Sequence, residues 1–504
     1  MGIAKTRVTL IHHPTVALRI SGFTDPDFEE LETTGGYLGN VYRKIIPPSL
    51  PRVASILERD AAAEVDILDL RVMDSDHDEI YRTIDWEGYR IDVERVGAPF
   101  SAADEAIDGS EWIGLSSHFT YESGVIRDLI AYAKRRKPSI KVMVGGADVK
   151  ARAQDYLTMG ADLAFVGDFD PEGFLNSQSS SSRPMAISGR NVVGPYSHPF
   201  PELIDPSFSK LRELNNYSDS HDGPVPAGVS SPIGFIYFTR GCPRECDFCE
   251  SRQTKFEALD LDASLAMLEN YQRAGIQTVN FADDNLLLLA ARKGGREDLL
   301  NLFAAMRKMR FAWEFPNGLE IGRLLGKENE LDEDVMEALF SHTIDAETGR
   351  LVGAYRVYIP VETFDRRGNY KKLKSVQDQN RILSRIASAG LPEMNFGVVI
   401  PPNATEETFE HTRDGYQDLR ELVTASGDSK ARYAVFHLIP ISLFRSMPTK
   451  YSVWDFPEGW NFYFPVYDGN NFTARELFER RLRLVKEIDY ENFVSMTRGQ
   501  YGYS

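Results

Sequence analysis

Cysteine is the scarce residue of this 504-residue chain: Cys242, Cys246 and Cys249 are its only three. Three thiols so close together offer no disulfide framework, and they speak for a reducing compartment. Long hydrophobic runs are missing too. No stretch approaches the ~20 apolar residues of a membrane-spanning helix. The strand-like segment Arg7–Ile11 follows Met1 too soon for a secretory leader. The expectation is a cytoplasmic protein without a membrane partner. Met1 to Thr6 fits the loose myristoylation pattern, a match too short to weigh. Positive charge is in deficit, with 57 basic against 75 acidic residues and a net charge of −18. A nucleic-acid partner needs a positive face, so none is expected.

What remains is ordinary for a globular protein, at 42% apolar and 26% charged residues. The length leaves room for two or three domains with ample cores. Residues 1–170 alternate strand and helix patterns. The strand candidates are Val8–His12, Val65–Leu70, Trp112–Ser116, Ile140–Val144 and Leu163–Val166, with an amphipathic helix pattern at Gly124–Arg136. Such alternation predicts a doubly wound parallel sheet. Ligands bind beyond the carboxyl ends of its strands, at His12 to Pro14, Asp69 to Arg71, Ser116-Ser117, Gly145-Gly146 and Gly167-Asp168.

Residues 171–230 read as a linker, with low-complexity Asn176–Ser182 and a proline-punctuated stretch, His198–Pro206. From 231 to 445 six strand candidates alternate with helices: Phe235–Phe238, Thr278–Ala282, Ala312–Phe315, Ala354–Ile359, Asn395–Ile400 and Ala434–Leu438. This predicts a partial (β/α)6 barrel with active residues at the carboxyl ends of its strands. The extension, 446–504, holds Tyr451, Trp454, Phe456, Trp460, Phe462, Tyr463, Phe464 and Tyr467. Aromatics at that density form a small core or close a barrel mouth, and they are also suited to lining a pocket for a flat substrate.

All three cysteines fall on the loop after the first barrel strand, spaced C-x3-C-x2-C. Three thiolates can hold three irons of a [4Fe-4S] cluster and leave the fourth open to a cofactor or substrate. The alternative is a structural zinc ion, which wants four ligands. His221 is the nearest upstream histidine to complete a Cys3His set, and no second C-x2-C pair exists.

This spacing, with Phe248 just before the last cysteine, resembles the radical S-adenosylmethionine (SAM) superfamily. Val142 to Asp148 and Gly160 to Asp168 resemble the end of a cobalamin-binding domain, although a plain flavodoxin-like domain has similar turns. A domain of that kind directly ahead of the cysteine motif looks like the cobalamin-dependent radical SAM family, of the class B methyltransferase type. The resemblance implies a [4Fe-4S] cluster on Cys242, Cys246 and Cys249, SAM on the open iron, and cobalamin on the first domain. It implies Phe248, Asn317 and Glu362 near SAM, and Asp283 and Asp284 as catalytic-site carboxylates beside SAM or substrate that accept hydrogen bonds from an ammonium or ribose. Ser116, Gly145, Gly146 and Gly167 would line cobalamin, with Arg71 either near the lower face of cobalt or a surface or structural arginine.

Two features depart from the pattern. The D-x-H-x-x-G motif that brings a histidine to cobalt is absent, since His12 and His13 lack the rest of it and Asp219 to Gly223 is wrongly spaced and placed. Pro401 and Pro402 replace the glycines of the fifth-strand turn, which puts backbone contact with adenine in doubt. The cysteine count also excludes the related methylthiotransferases, which carry a second cluster, and methylation through a methyl-cysteine. The implied activity is C-methylation of an unactivated or weakly activated carbon of a small-molecule or peptide substrate in bacterial secondary metabolism, including antibiotic biosynthesis. A flavodoxin-type or other low-potential reductant would supply electrons. Three alternatives stay open: a cobalamin-binding radical SAM rearrangement or cyclisation, a polar methyl transfer without radical cleavage, and a noncatalytic metal-binding or redox-sensing protein.

Overall fold

The computed structural model describes residues 5–32, 36–38, 44–74, 77–178, 192–197, 206–219, 225–246, 249, 251, 253–326, 328–364, 376–437, 456–461, 463–465 and 467–495. Its strands, in chain order, are β1 (Arg7–His12), β2 (Thr15–Ser21), β3 (Gly36–Leu38), β4 (Glu64–Asp69), β5 (Asp78–Trp86), β6 (Tyr89–Val96), β7 (Trp112–Ser116), β8 (Lys141–Gly145), β9 (Leu163–Gly167) and β10 (Val192–Tyr196) in the first half. The second half has β11 (Ile233–Ile236), β12 (Thr239–Arg240), β13 (Glu257–Ala258), β14 (Thr278–Phe281), β15 (Ala312–Phe315), β16 (His342–Ile344), β17 (Leu351–Glu362), β18 (Glu393–Ile400) and β19 (Lys430–His437).

The first sheet runs β10-β9-β8-β7-β1-β4, all pairs parallel. Successive side chains of a strand face opposite sides. Val8 and Leu10 of β1 accordingly pack in one core with Ala54 and Leu57 of the helix Leu50–Asp60. Ile11 packs in the other core with Val125, Ile126 and Leu129 of the helix Ser123–Arg136. A sheet covered on both faces is the doubly wound arrangement expected from the sequence. β10 lies inside the stretch read as linker, so this sheet extends beyond residue 170.

One component of the first half was not legible. β3, β2, β6 and β5 form a separate antiparallel sheet in that order. β5 and β6 have mixed apolar and charged sequences because the sheet is covered only in part, and their charges pair along it, as in Arg95 with Glu79 and Arg19 with Glu94.

The second half gives the open barrel, β11-β14-β15-β17-β18-β19, parallel throughout, with β16 added antiparallel to β17. Its strands carry a buried ion pair, Arg356 with Glu314, that a partly exposed Glu393 joins. Arg356 of β17 binds Glu314 of β15 at 3.0 Å and Glu393 of β18 at 2.5 Å, locking three neighbouring strands in register.

The described aromatics of the extension form a small core against the antiparallel sheet. The Trp86 ring centre lies 4.3 Å from that of Phe464, in a tilted contact, and 5.8 Å from that of Phe478, edge to face. Tyr81 donates to Glu458 at 2.9 Å, and Tyr89 to Glu479 at 2.8 Å. Arg483, on the helix Ala474–Ile488, binds Asp25 at 2.5 Å. The same helix reaches the barrel, where Arg481 donates to the Val435 carbonyl at 2.6 Å. The end of the chain thus joins both halves. Tyr451, Trp454 and Phe462 lie outside the described residues.

Candidate functional site

The cysteine loop begins where β12 ends and is held on several sides. Asp283, just past β14, accepts three hydrogen bonds on one oxygen: from the amides of Phe238 (3.1 Å) and Thr239 (2.6 Å) and from the Thr239 hydroxyl (2.6 Å). Asp284 accepts the Gly241 amide at 2.5 Å and the Ser251 hydroxyl. Gly241 has φ +82°, and a Cβ there would meet the Lys255 carbonyl oxygen at 2.0 Å. Only glycine lets the chain turn so tightly into Cys242. The Cys242 amide donates to Thr254 Oγ1 at 2.8 Å, and the Cys249 amide to the Cys246 carbonyl at 3.1 Å.

Behind the loop, Asn285 links the thiol to a buried carboxylate. Its amide nitrogen lies 3.7 Å from Cys242 Sγ and 2.8 Å from Glu320. Arg244 also binds Glu320, and that bond, together with the attraction of Cys242 and Cys246, raises its pKa despite some burial. Burial pushes the Glu320 carboxyl up, but Arg244, Asn285 and Arg323 outweigh it, so Glu320 stays below the usual carboxylate range. A cation beside thiolates favours their charged, ligating form. None of the three cysteines is in a disulfide. Among the described residues no three His, Cys, Asp or Glu side chains are gathered closely enough to hold one metal ion. His221, the fourth ligand of the zinc alternative, lies outside the described residues, and so does Phe248.

The geometry gives Asp283 and Asp284 a role that the sequence did not suggest, as clamps of the cysteine loop. Asp283 is 3% exposed, and its second oxygen has no hydrogen-bond partner. Burial, against the three donors on its other oxygen, raises its pKa to about 7. A carboxyl raised in the folded state contributes stability that is fully present below its unfolded pKa of 3.8 and lost as pH rises through about 7. Asp283→Asn is therefore expected to flatten a fall in stability of about 4 kcal/mol across that window. Thermal unfolding of the anaerobic protein at a series of pH values checks this; an unchanged slope in the variant contradicts it.

Asn317, in the turn after β15, points its amide at the Asp283 carbonyl, 3.4 Å away. Glu362 is the last residue of β17, and its side chain is outside the description. In the fifth-strand turn the Pro402 carbonyl accepts the Asn470 amide at 2.8 Å, so the extension occupies a backbone group there.

The first sheet's expected residues gather at its carboxyl end. Ser116 Oγ lies 3.3 Å from Ser49 Oγ. Gly145 ends β8, where a Cβ would find its nearest neighbour at 3.9 Å, the Phe165 Cβ. Gly146 serves the fold: at φ +116° a Cβ would lie 2.1 Å from the Ser117 carbonyl oxygen. Gly167 pairs with Tyr196 of β10. Arg71 is buried and committed to Asp69 at 2.6 Å and to the Ile45 carbonyl at 2.9 Å, and Tyr217 donates to the same Asp69 at 3.2 Å.

His12 and His13, at a strand end expected to bind ligands, join them together with Glu122 and His118, which the sequence did not single out. His13 Nε2 is 3.9 Å from Glu122, whose carboxylate takes the amides of His118 and Phe119 at 2.7 and 3.1 Å. Burial pushes Glu122 up, yet His13, His118 and His12 bring it down to about 2. Burial and the Arg71 guanidinium lower His12 to about 3, leaving a neutral imidazole at neutral pH. The signal available beforehand was the paired histidine at a strand end.

The two halves meet at the cysteine loop. Arg240, two residues before Cys242, binds Glu257 at 2.7 Å and Asp168, one residue past β9, at 3.3 Å. Arg52 bonds Tyr237 across the same junction. The carboxyl end of the first sheet is thereby tied to the strand that launches the cysteines. Two surface clefts lie elsewhere. One of about 420 Å³ is lined by Arg95, Phe100 and Tyr132, and one of about 160 Å³ by Val72, Met73 and Tyr217. The first holds none of the expected chemistry; the second touches only the Asp69 that pairs with Arg71.

Residues 236–414 match the radical SAM superfamily. The barrel is a radical SAM domain. Beyond it, 264 residues, 49% of the chain, are 24% identical to the cytidylyl-2-hydroxyethylphosphonate methyltransferase of Streptomyces wedmorensis, and the match covers 42% of that protein. The chain therefore aligns with less than half the length of that curated relative. Among solved structures, the radical SAM methyltransferase TsrM from Kitasatospora setae, with tryptophan and a SAM analogue bound, superposes with a TM-score of 0.54 at 12% identity, over 99% of this chain and 97% of that one. The cobalamin-dependent radical SAM enzyme OxsB, with aqua-cobalamin bound, gives 0.53 at 13% identity, over 97% of this chain and 56% of that one. At such identities the likeness is one of fold, and it spans the first domain as well as the radical SAM domain. No helix among the described residues is long and apolar enough to cross a membrane.

Proposed function

We propose that this protein is a radical SAM enzyme that binds a [4Fe-4S] cluster, SAM and cobalamin and methylates an unactivated or weakly activated carbon of a small-molecule or peptide substrate. Bacterial secondary metabolism is the setting that suits such chemistry. The observation that carries the reading is the junction at Arg240: a clamped three-cysteine loop of a radical SAM domain, joined to the carboxyl end of a doubly wound sheet. That sheet end is where such domains bind ligands.

The residues present fit both groups. Cys242, Cys246 and Cys249 would hold the cluster, with Asn285 and Arg244 offering a donor and a positive charge to the sulfurs. At the first sheet, a Cβ on Gly145 would touch only Phe165, at van der Waals distance, and His13 Nε2 is a buried nitrogen without a hydrogen-bond partner. The cluster supplies the electron that cleaves the SAM sulfonium bond, cobalamin carries a transferable methyl group, and the chain supplies position and exclusion of water. Asp283 and Asp284 keep the cysteine loop in place. Asp283, near half-protonation at neutral pH, also has an oxygen free to meet an ammonium or hydroxyl group, which would retain the part expected of it beside SAM. The electrons come from a low-potential reductant of flavodoxin type.

The test is the iron, cobalt and zinc content of protein purified anaerobically from cells supplied with cobalamin. About four irons and one cobalt per chain are expected. Iron without cobalt would end the proposal of methylation through cobalamin, and zinc without iron would end that of an enzyme. Turnover yielding 5′-deoxyadenosine together with S-adenosylhomocysteine separates radical methylation from rearrangement, which gives the first alone, and from polar transfer, which gives the second alone.

A further inference from the structure

We propose that Asn285 is a positioning residue that raises the reduction potential of the iron–sulfur cluster by donating a hydrogen bond to the Cys242 sulfur, an inference that rests on the cluster binding proposed above. Asn285 follows β14 and opens the turn Leu286–Ala291, whose four leucines are buried. Its backbone carbonyl accepts the Leu288 amide at 3.2 Å, and the residue itself is 6% exposed. The side chain therefore has a fixed root and little room to swing.

Chemistry decides which way its amide faces. Glu320 lies 2.8 Å from the amide nitrogen and, as a carboxylate, only accepts, so the nitrogen must point at it. The same nitrogen carries a second hydrogen, and Cys242 Sγ lies 3.7 Å from it. The reverse orientation would set an oxygen against a carboxylate and a sulfur with no hydrogen between them. Glu320 is held in turn by Arg244 and, at 3.0 Å, by Arg323. It thus orients the donor while the two arginines offset its charge.

Cys242 is the buried member of the three cysteines, and its own amide is spent on Thr254. An N–H dipole aimed at a buried sulfur is poorly screened by water. Hydrogen bonds to the sulfurs are among the features that set a cluster's potential. The step concerned is the gain of one electron from the low-potential reductant, which adds one negative charge to iron and sulfur. A donor at the sulfur stabilises the form that carries the added charge, so the electron is accepted more readily.

The test is a potentiometric titration of the full chain with its cluster, anaerobic and without SAM, the reduced form being followed by electron paramagnetic resonance. Asn285→Leu removes the donor at similar side-chain length. Its reduction equilibrium is expected to fall about tenfold, a midpoint about 59 mV lower for one electron, with iron content unchanged. Glu320→Gln keeps an acceptor for the Asn285 amide and removes a negative charge, so its midpoint should rise. A merely loosened loop would not move the two variants in opposite directions. An unshifted midpoint in Asn285→Leu, or shifts of both variants in one direction, would overturn the proposal. Should Asn285→Leu hold no cluster, wild-type protein with nitrogen-15 only in its asparagine side-chain amides decides. The reduced cluster should then show coupling to such a nitrogen in pulsed electron paramagnetic resonance, and its absence would overturn the proposal. Wild-type protein without iron would overturn the cluster reading and this inference with it, so the two failures are distinguishable.

Discussion

Cys246→Ala is expected to abolish SAM cleavage, lowering 5′-deoxyadenosine formation by about a thousandfold or more, to background. The reason lies in the geometry of the loop. Each cysteine would bind a different iron, and no other thiol exists to replace one that is lost. Iron content should fall with activity, because a cluster held by two thiolates is exposed to water and oxidant on two sides. Asp284→Asn makes the informative comparison. Its side-chain oxygen still accepts the Gly241 amide, so the clamp persists in weakened form. Activity and iron should then fall together and only about tenfold, the cost of roughly one charge-assisted hydrogen bond. If Asp284→Asn retained full iron but lost all cleavage, the residue would act in the chemistry and not as a clamp. Anaerobic iron assay and product chromatography on the same samples decide the matter.

The second large effect is on stability. Trp86 is 1% exposed and touches Tyr89, Phe464 and Phe478, so it joins the antiparallel sheet to the end of the chain. Trp86→Ala is expected to cost about 3–5 kcal/mol, from lost burial and from a cavity that aromatic neighbours cannot fill without moving. Ile80, on the same sheet, is 47% exposed, and Ile80→Ala should change stability by less than about 0.5 kcal/mol. Urea unfolding of the two variants beside the wild type measures the difference. Equal and small effects would mean that the extension does not depend on this contact. Selective proteolysis of residues 456–495 in Trp86→Ala, with the barrel left intact, would locate the damage where it is expected.

The parallel strands of both halves were legible because each is a short apolar run between amphipathic helices, and burial on both faces leaves that mark on composition. Trp112–Ser116 and Ala312–Phe315 have the bounds expected of them, and most others differ by no more than two residues at either end, whereas Leu351–Glu362 and Lys430–His437 start three or four residues earlier than expected. The antiparallel sheet left no such mark. Asp78–Trp86 and Tyr89–Val96 alternate charged with apolar residues, and their sequence alone does not say what covers the apolar face. β10 was hidden for another reason: Val192–Tyr196 is short and follows a low-complexity stretch.

At the candidate site, the chemistry was written in residue types. Three cysteines at C-x3-C-x2-C, in a chain with no others, named the metal-binding loop whatever the fold around them, since thiolate ligation is a local property. The roles of acidic and basic residues were not local. Asp283 and Asp284 read as acceptors beside SAM or substrate, and β14 also sets them against the amides of Phe238, Thr239 and Gly241. Arg71 read either as a cofactor contact or as a structural arginine, and the structure pairs it with Asp69 and the Ile45 carbonyl. Glu320, Asn285 and Arg244 were passed over because 35 residues separate the first two and 41 the last two, and only the barrel brings them together behind Cys242. The sequence by itself determined which groups can ligate, and in what order the buried parallel strands, β10 apart, alternate with helices. The tertiary structure decided which charges are spent on one another, because a side chain's partners are set by distances in space that chain spacing does not encode.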